Sequence, residues 1–250
     1  MRRYNKRTNM TNDEATYRSK KLKKSKKAPK LALLGVLSLL VVGLVFYYNI
    51  NDVRVDVEVL PLMAVPGQPL EGKTIVIDPG HGGKHPGSIG QLGTMERDMT
   101  LQMAKEIEQE LLERTGATVL LTRKQDETVD LQQRVDMAAE ASADLFLSIH
   151  FDAFTTRDVE GMTTYHKDSH DQPIAQAVHN RLMEKNFDTR DRGVRVGDYY
   201  VLRENTVPAL LLELGYISNE KDETRMRSLQ FHKEASQAIV EGVIDYFHKR

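Results

Sequence analysis

The sequence predicts an α/β fold: a single domain built on a mostly parallel mixed sheet with helices on both faces, following an N-terminal transmembrane helix. Three observations lead there. From Thr74 onward, short apolar runs alternate with segments of about 10 to 18 residues whose apolar positions recur at helical spacing, the pattern of strand-helix-strand units. Residues 31–48 form an uncharged run of 18, long enough to cross most of a bilayer at roughly 1.5 Å per residue. The net charge of −1 hides an asymmetry: residues 1–30 hold 12 Lys or Arg against Asp13 and Glu14, a balance of +10 that leaves −11 on the remaining 220 residues.

Taken in order, residues 1–30 read as a basic cytoplasmic tail, because like charge with few apolar residues cannot bury a core. Residues 31–50 read as a transmembrane signal-anchor, with Tyr47 and Tyr48 placed for an interfacial aromatic belt. Basic residues flank only its N-terminal end, which puts the tail inside and the rest of the chain outside, at the cell membrane. A cleavable signal peptide, releasing a secreted domain, is the competing reading; against it, the leader and the apolar run are both long and no small-x-small site follows Tyr48. Residues 51–72 alternate Val with charge and pass through Pro61, Pro66 and Pro69, a semi-extended linker reaching at most about 70 Å.

Residues 73–250 are the catalytic domain in this reading. Thr74 to Asp78 is a strand. Arg97 to Arg114 is a helix with Met99, Met103, Ile107 and Leu111 on one face and Gly116 at its C-terminal stop. A strand over Ala117 to Leu121, a helix over Leu131 to Ala141 and a strand over Asp144 to Ile149 follow, then a strand over Gly161 to Tyr165 and a helix over Pro173 to Glu184. Ala209 to Leu214 is a buried strand, Asn219 caps a helix towards Arg227, and Ala235, Ile239, Val243 and Phe247 mark a final helix.

The absence of cysteine excludes disulfides and thiolate metal sites, so any metal must be held by His and carboxylates. Gly67-Gln68-Pro69-Leu70-Glu71-Gly72-Lys73-Thr74 fits the phosphate-binding pattern G-x-x-x-x-G-K-[ST], but a Pro-rich segment precedes it and a strand follows it. No helix N-terminus would face a phosphate, and a nucleotide-binding role is rejected. Nothing points to nucleic acid.

In an open α/β sheet the carboxyl ends of the strands gather along one rim, where ligands bind. His81 lies just past the first strand, His150 closes the third, and Glu213 lies near the end of a late one. Glu96 begins a helix after a glycine-rich loop able to fold back over that rim. Two imidazoles and a carboxylate with an open fourth position are the ligand set of a catalytic zinc, one Zn2+ per chain on His81, Glu96 and His150. Glu213, between Leu212 and Leu214, is the candidate general base, since an apolar setting raises a carboxyl's proton affinity. Asp78 could orient His81 as an acceptor behind it. The expected reaction is hydrolysis of an amide or ester. Each residue also has a plain structural role open to it: a turn histidine, a satisfied core histidine, or a buried Glu213 paired with Arg123 or Arg203.

Five segments together resemble the zinc-dependent N-acetylmuramoyl-L-alanine amidases of the type 3 class: Ile75-Val76-Ile77-Asp78-Pro79-Gly80-His81-Gly82-Gly83, Glu96-Arg97-Asp98-Met99-Thr100-Leu101, Leu120-Leu121-Thr122-Arg123, Ser148-Ile149-His150-Phe151-Asp152-Ala153, and the stretch from Pro208 to Asn219. The resemblance covers about residues 73–249 and implies cleavage of the amide between N-acetylmuramic acid and L-Ala in peptidoglycan. It places zinc on His81, Glu96 and His150 and the catalytic carboxylate on Glu213. Two positions depart from the pattern: His85 stands where an acidic residue is usual and Asp152 where Asn is usual, which implies altered substrate contacts or loop geometry, with His85 as a further ligand the minor alternative. The 62 residues between His150 and Glu213 already contain predicted elements and leave no room for a large inhibitory plug. Expected partners are peptidoglycan and the membrane, with the catalytic domain acting as a monomer. The alternatives are a membrane-tethered wall-binding protein without catalysis or needing a partner's activation, and another zinc peptidoglycan hydrolase.

Overall fold

The computed structural model describes residues 67–248. The signal-anchor, the basic tail and most of the linker lie outside the described residues. Among the described residues, no helix is long and apolar enough to cross a membrane.

Six strands form one sheet: β1 (Thr74–Pro79), β2 (Thr118–Leu121), β3 (Leu145–Asp152), β4 (Met162–His166), β5 (Asp191–Val196) and β6 (Ala209–Tyr216). Their order is β2-β1-β3-β6-β4-β5. Every pairing is parallel except β4 with β6, so the sheet is mixed and mostly parallel, as the alternation of elements predicts. The helices are α1 (Glu96–Arg114), α2 (Leu131–Glu140), α3 (Gln172–Glu184), α4 (Tyr200–Arg203), α5 (Glu220–Met226) and α6 (Leu229–His248).

Side chains of a strand alternate between its two faces, and the two faces here are unequal. Ile75, Ile77, Leu147, Ile149, Leu210 and Leu212 enter the larger core with the apolar stripes of α1, α3 and α6. Val76, Phe146 and Leu211 enter a smaller core with Val135 and Ala138 of α2 and Val201 and Leu202 of α4. Continuing the same alternation, Asp78, His150 and Glu213 fall on the smaller-core side.

Helix boundaries follow local chemistry. Asn219 caps α5 through its side chain, which accepts from the amides of Lys221 and Asp222. Asp130 and Gln133 form a capping box at α2. Leu70 is buried and its N–H donates to the Thr115 carbonyl, so the turns before β1 already pack on the domain. The segment of phosphate-binding pattern leads directly into β1, with no helix after it.

Three features go beyond the sequence reading. β5 and α4 were not expected: β5 is a charged, largely exposed edge strand without an apolar run, and α4 spans four residues, too few to show a period. β3 also runs three residues past Ile149, so His150 sits inside the strand, directly opposite Glu213 of β6, and the register shifts between His150 and Asp152. Such an irregularity bends a strand and re-aims side chains at a sheet's rim.

Candidate active site

The central strands β1, β3 and β6 are adjacent and parallel, so their carboxyl ends lie side by side. His81 follows β1 by two residues, and its backbone adopts φ 60, uncommon for a side-chain-bearing residue. That conformation is imposed by two buried arginines. Arg134 donates to the carbonyls of Pro79 at 2.7 Å and His81 at 2.6 Å. Arg123 donates to Pro79 at 3.0 Å and to Gly80 at 2.8 Å. Gly80 permits the close approach, since a Cβ there would collide with the His150 ring.

Asp78 supports this loop differently from the role considered in sequence. Its carboxylate accepts from Thr122 Oγ1 at 2.6 Å, Arg134 Nη1 at 2.6 Å and Ser148 Oγ at 2.7 Å, and it is fully engaged without the His81 ring. It acts on His81 through Arg134. Glu213 pairs with neither Arg123, which is spent on this loop, nor Arg203, which pairs with Asp198 and Glu204.

The loop after His81 folds back across the rim and is pinned by amide pairs Gly82 with His85 and Ile89 with Met95. Its far end is held by buried Glu223 of α5, which accepts from the amides of Leu92 and Thr94. The loop delivers Glu96 at the first turn of α1. Glu96 Oε1 lies 3.0 Å from both His81 Nε2 and His150 Nδ1, and accepts from the Phe151 amide at 3.1 Å. Its Oε2 accepts from the Ser88 amide at 2.9 Å. Burial opposes ionisation of this carboxyl, yet hydrogen bonds from His150 and His81 outweigh it and hold the group well below the usual carboxylate range.

His81, Glu96 and His150 offer one ligand atom each, all within 4.8 Å of one another. Two imidazole nitrogens aimed at one carboxylate oxygen, with the rings 4.9 Å apart and nearly perpendicular, fit a small cation of borderline softness such as zinc better than a hard oxygen-seeking ion. His85 lines the neighbouring cleft but is not part of this group.

Glu213 is 6 % exposed, and its Oε2 has no hydrogen-bond partner in the protein. Burial first, then the negative charges of Glu96 and Asp152, raise its proton affinity well above the ordinary carboxyl. Asp152 therefore acts on the site electrostatically, which the sequence reading, treating it as a substrate-contact change, did not include. The sequence reading also missed Arg134 and Thr122 as supports of the loop.

Comparison with known proteins gives the family and the fold. A family model described as N-acetylmuramoyl-L-alanine amidase matches residues 75–245. The protein described as probable cell wall amidase LytH, from Staphylococcus aureus, is 43% identical over 182 residues, which are 72% of this chain and 60% of LytH. The chain thus spans only part of the length of the curated relatives it matches. Among solved structures, the catalytic domain of CwlV, an N-acetylmuramoyl-L-alanine amidase from Bacillus (Paenibacillus) polymyxa var. colistinus, is 35% identical with a TM-score of 0.68, covering 71% of this chain and 99% of that one. The CwlD amidase from Clostridioides difficile, solved in complex with the GerS lipoprotein, is 26% identical with a TM-score of 0.66, covering 71% of this chain and 100% of that one.

Proposed function

This chain belongs to the N-acetylmuramoyl-L-alanine amidase family, and from that premise we propose that it is a zinc-dependent peptidoglycan hydrolase cleaving the amide between N-acetylmuramic acid and L-alanine. The observation that carries the proposal is the convergence of His81, Glu96 and His150 beside the buried, unpartnered carboxylate oxygen of Glu213. A zinc ion on those three ligands supplies Lewis acidity, lowering the pKa of its water to roughly 7 and polarising the carbonyl.

Glu213 takes the proton of the attacking water as the oxygen adds to the lactyl carbonyl carbon, and passes it to the amide nitrogen as the C–N bond breaks. The products are a lactyl carboxylate on the glycan and a free amine on L-Ala. The raised proton affinity makes Glu213 a better proton acceptor than an ordinary carboxylate. Glu96 would act only as a ligand, its negative charge stabilised by the cation it helps to hold. Arg134 and Arg123 hold the His81 loop and take no part in proton transfer.

Residues 31–50 are proposed as a retained single-pass anchor, with the basic tail in the cytoplasm and the domain working as a monomer on the wall within reach of its linker. That CwlD was solved in complex with the GerS lipoprotein motivates a second reading, in which this chain too works with a protein partner.

Digestion of purified peptidoglycan by the zinc-loaded chain, beside Glu213→Ala, tests the reading by mass spectrometry of the products. Stem peptides with free N-terminal L-Ala, released by the wild type alone, are expected. Zinc binding without cleavage would instead favour the partner-activated or non-catalytic alternative, and a different scissile bond another zinc hydrolase.

A further inference from the structure

Beside the metal ligands opens a cleft of about 410 Å³, which the hydrolytic chemistry does not use. That volume lies in the ~300–1,000 Å³ range of sites for one compact ligand. His81 and His150 form one wall. The lining also takes in Val129 and Leu131 around the start of α2 and Tyr199, Tyr200 and Val201 at α4. Leu131 is 53% exposed and Tyr199 37%, so large apolar groups are presented inside a concave site.

The charges around this wall are committed. Arg134 is buried and spends its donors on Asp78 and on the carbonyls of Pro79, His81 and Val129. Arg203 lies over the Tyr200 ring but is paired with Asp198 and Glu204. Asp130 is exposed at the mouth, where its side chain caps α2. The wall is therefore largely aromatic and aliphatic, with the Asp130 carboxylate at its edge, no uncommitted Lys or Arg among its lining residues, and exposed His85 as the remaining polar group.

The proposed substrate has two unlike halves across the scissile amide. One is a neutral pyranose with apolar C–H faces and an acetamido methyl group; the other is a peptide carrying carboxylates. A carboxylate set against the Leu131 and Tyr199 lining, away from His85 and the metal ligands, would meet Asp130 and find no Lys or Arg to replace its water. A pyranose face would cover apolar and aromatic surface, the kind of contact such a wall rewards.

Resting on the function proposed above, we infer that this cleft is the subsite for the N-acetylmuramoyl ring, with Tyr199 as its stacking platform, and that the stem peptide leaves the metal centre in another direction. Tyr199 is pre-set for such stacking. Its ring packs edge-on against Tyr165 at 5.1 Å, which fixes its orientation before any ligand arrives. The α4 turn that carries it rests on the smaller core through Val201 and Leu202, so the platform is held by the same packing that supports the sheet under His150 and Glu213.

The test uses the full zinc-loaded chain with Glu213→Ala as background, so that ligands bind without turnover. Two fragments serve as probes: the peptide-free disaccharide N-acetylglucosaminyl-N-acetylmuramic acid with its lactyl carboxyl capped as the primary amide, so that the sugar half is neutral, and the stem tripeptide beginning with L-Ala. Affinities are read by calorimetry, and contacts by saturation transfer from aromatic protons. Tyr199→Ala is expected to weaken the disaccharide about fivefold and leave the peptide within about twofold, while Tyr199→Phe keeps disaccharide binding because the ring face is the contact. An equal loss for both probes, a loss confined to the peptide, or no disaccharide binding by the Tyr199 parent overturns the assignment. Thermal midpoints of both variants within a few degrees of the parent separate a binding loss from a folding loss. The proposed reaction fails on a different reading, absence of amide cleavage by the wild type, so the two failures are distinguishable.

Discussion

Glu213 holds its carboxyl in a place that favours the neutral form, and this has opposite consequences for catalysis and stability. A carboxyl whose pKa is raised on folding contributes stability fully below its unfolded value, near 4.5, and loses that contribution as pH climbs through the raised folded value. Removing the charge should relieve the loss. Metal-free Glu213→Gln is expected to match the wild type in thermal midpoint near pH 4 and to exceed it above neutrality, the gap narrowing when zinc is added because a cation stabilises the carboxylate. The same variant should lose about 10²–10⁴-fold in kcat on peptidoglycan. Calorimetry across pH and product quantification check the two halves, and a variant less stable than the wild type at pH 8 without metal would refute the stability argument.

Asp152 adds to the same field. Its charge is one of the causes that hold the Glu213 proton, after burial and Glu96. Asp152→Asn is expected to lower the proton affinity of Glu213 and move the acidic limb of the pH–kcat profile to lower pH, since the ionised base then persists further into acid. An unmoved limb would mean that Asp152 acts through contact alone. Its effect was not legible in sequence, because it depends on the strand register that sets Asp152 and Glu213 on one rim of adjacent strands.

At the scale of elements, the β1-to-α1 connection is what turns a strand end into a ligand site. Its backbone carbonyls are clamped by Arg123 from the end of β2 and Arg134 from α2, and the Arg134–Asp78 pair is almost wholly buried. Breaking a buried pair by removing one partner leaves an uncompensated charge. Arg134→Ala should therefore cost about 3–5 kcal/mol in chemical denaturation. It should also weaken zinc binding, because the His81 carbonyl loses its restraint. A cost below about 1 kcal/mol would show that Asp78 is satisfied by Thr122 and Ser148 alone. The strands bearing the site were readable because apolar runs ended in His or Glu; the clamp was not, because nothing in a linear pattern says that arginines 44 and 55 residues beyond Pro79 return to its carbonyl.

For the whole domain, candidate ligands from the loop after β1, from α1 and from β3 would make a bound metal a tie between elements. A ligand that binds only the folded state stabilises it by RT ln(1 + [L]/Kd), about 4 kcal/mol at a thousandfold excess over Kd. Chelation is expected to lower the unfolding midpoint and raise amide exchange over residues 80–96 and 148–152, with the α3–α6 core little changed. Uniform loss of protection would argue instead that the core depends on the metal.

Sequence alone marked most elements from Thr74 onward and the four residues proposed for the chemistry, because strand and helix periods are local and an imidazole or carboxylate at a strand end is unusual enough to be noticed. It also marked the family through five ordered segments. Only the tertiary structure decided that β5 closes an edge, that β4 runs against β6, that His150 faces Glu213, and that Asp78 works through Arg134. It alone brought α2 and α4 together to line one cleft with the candidate metal ligands. Pairing register, burial and charge proximity are sums over residues far apart in the chain, and no local pattern carries them.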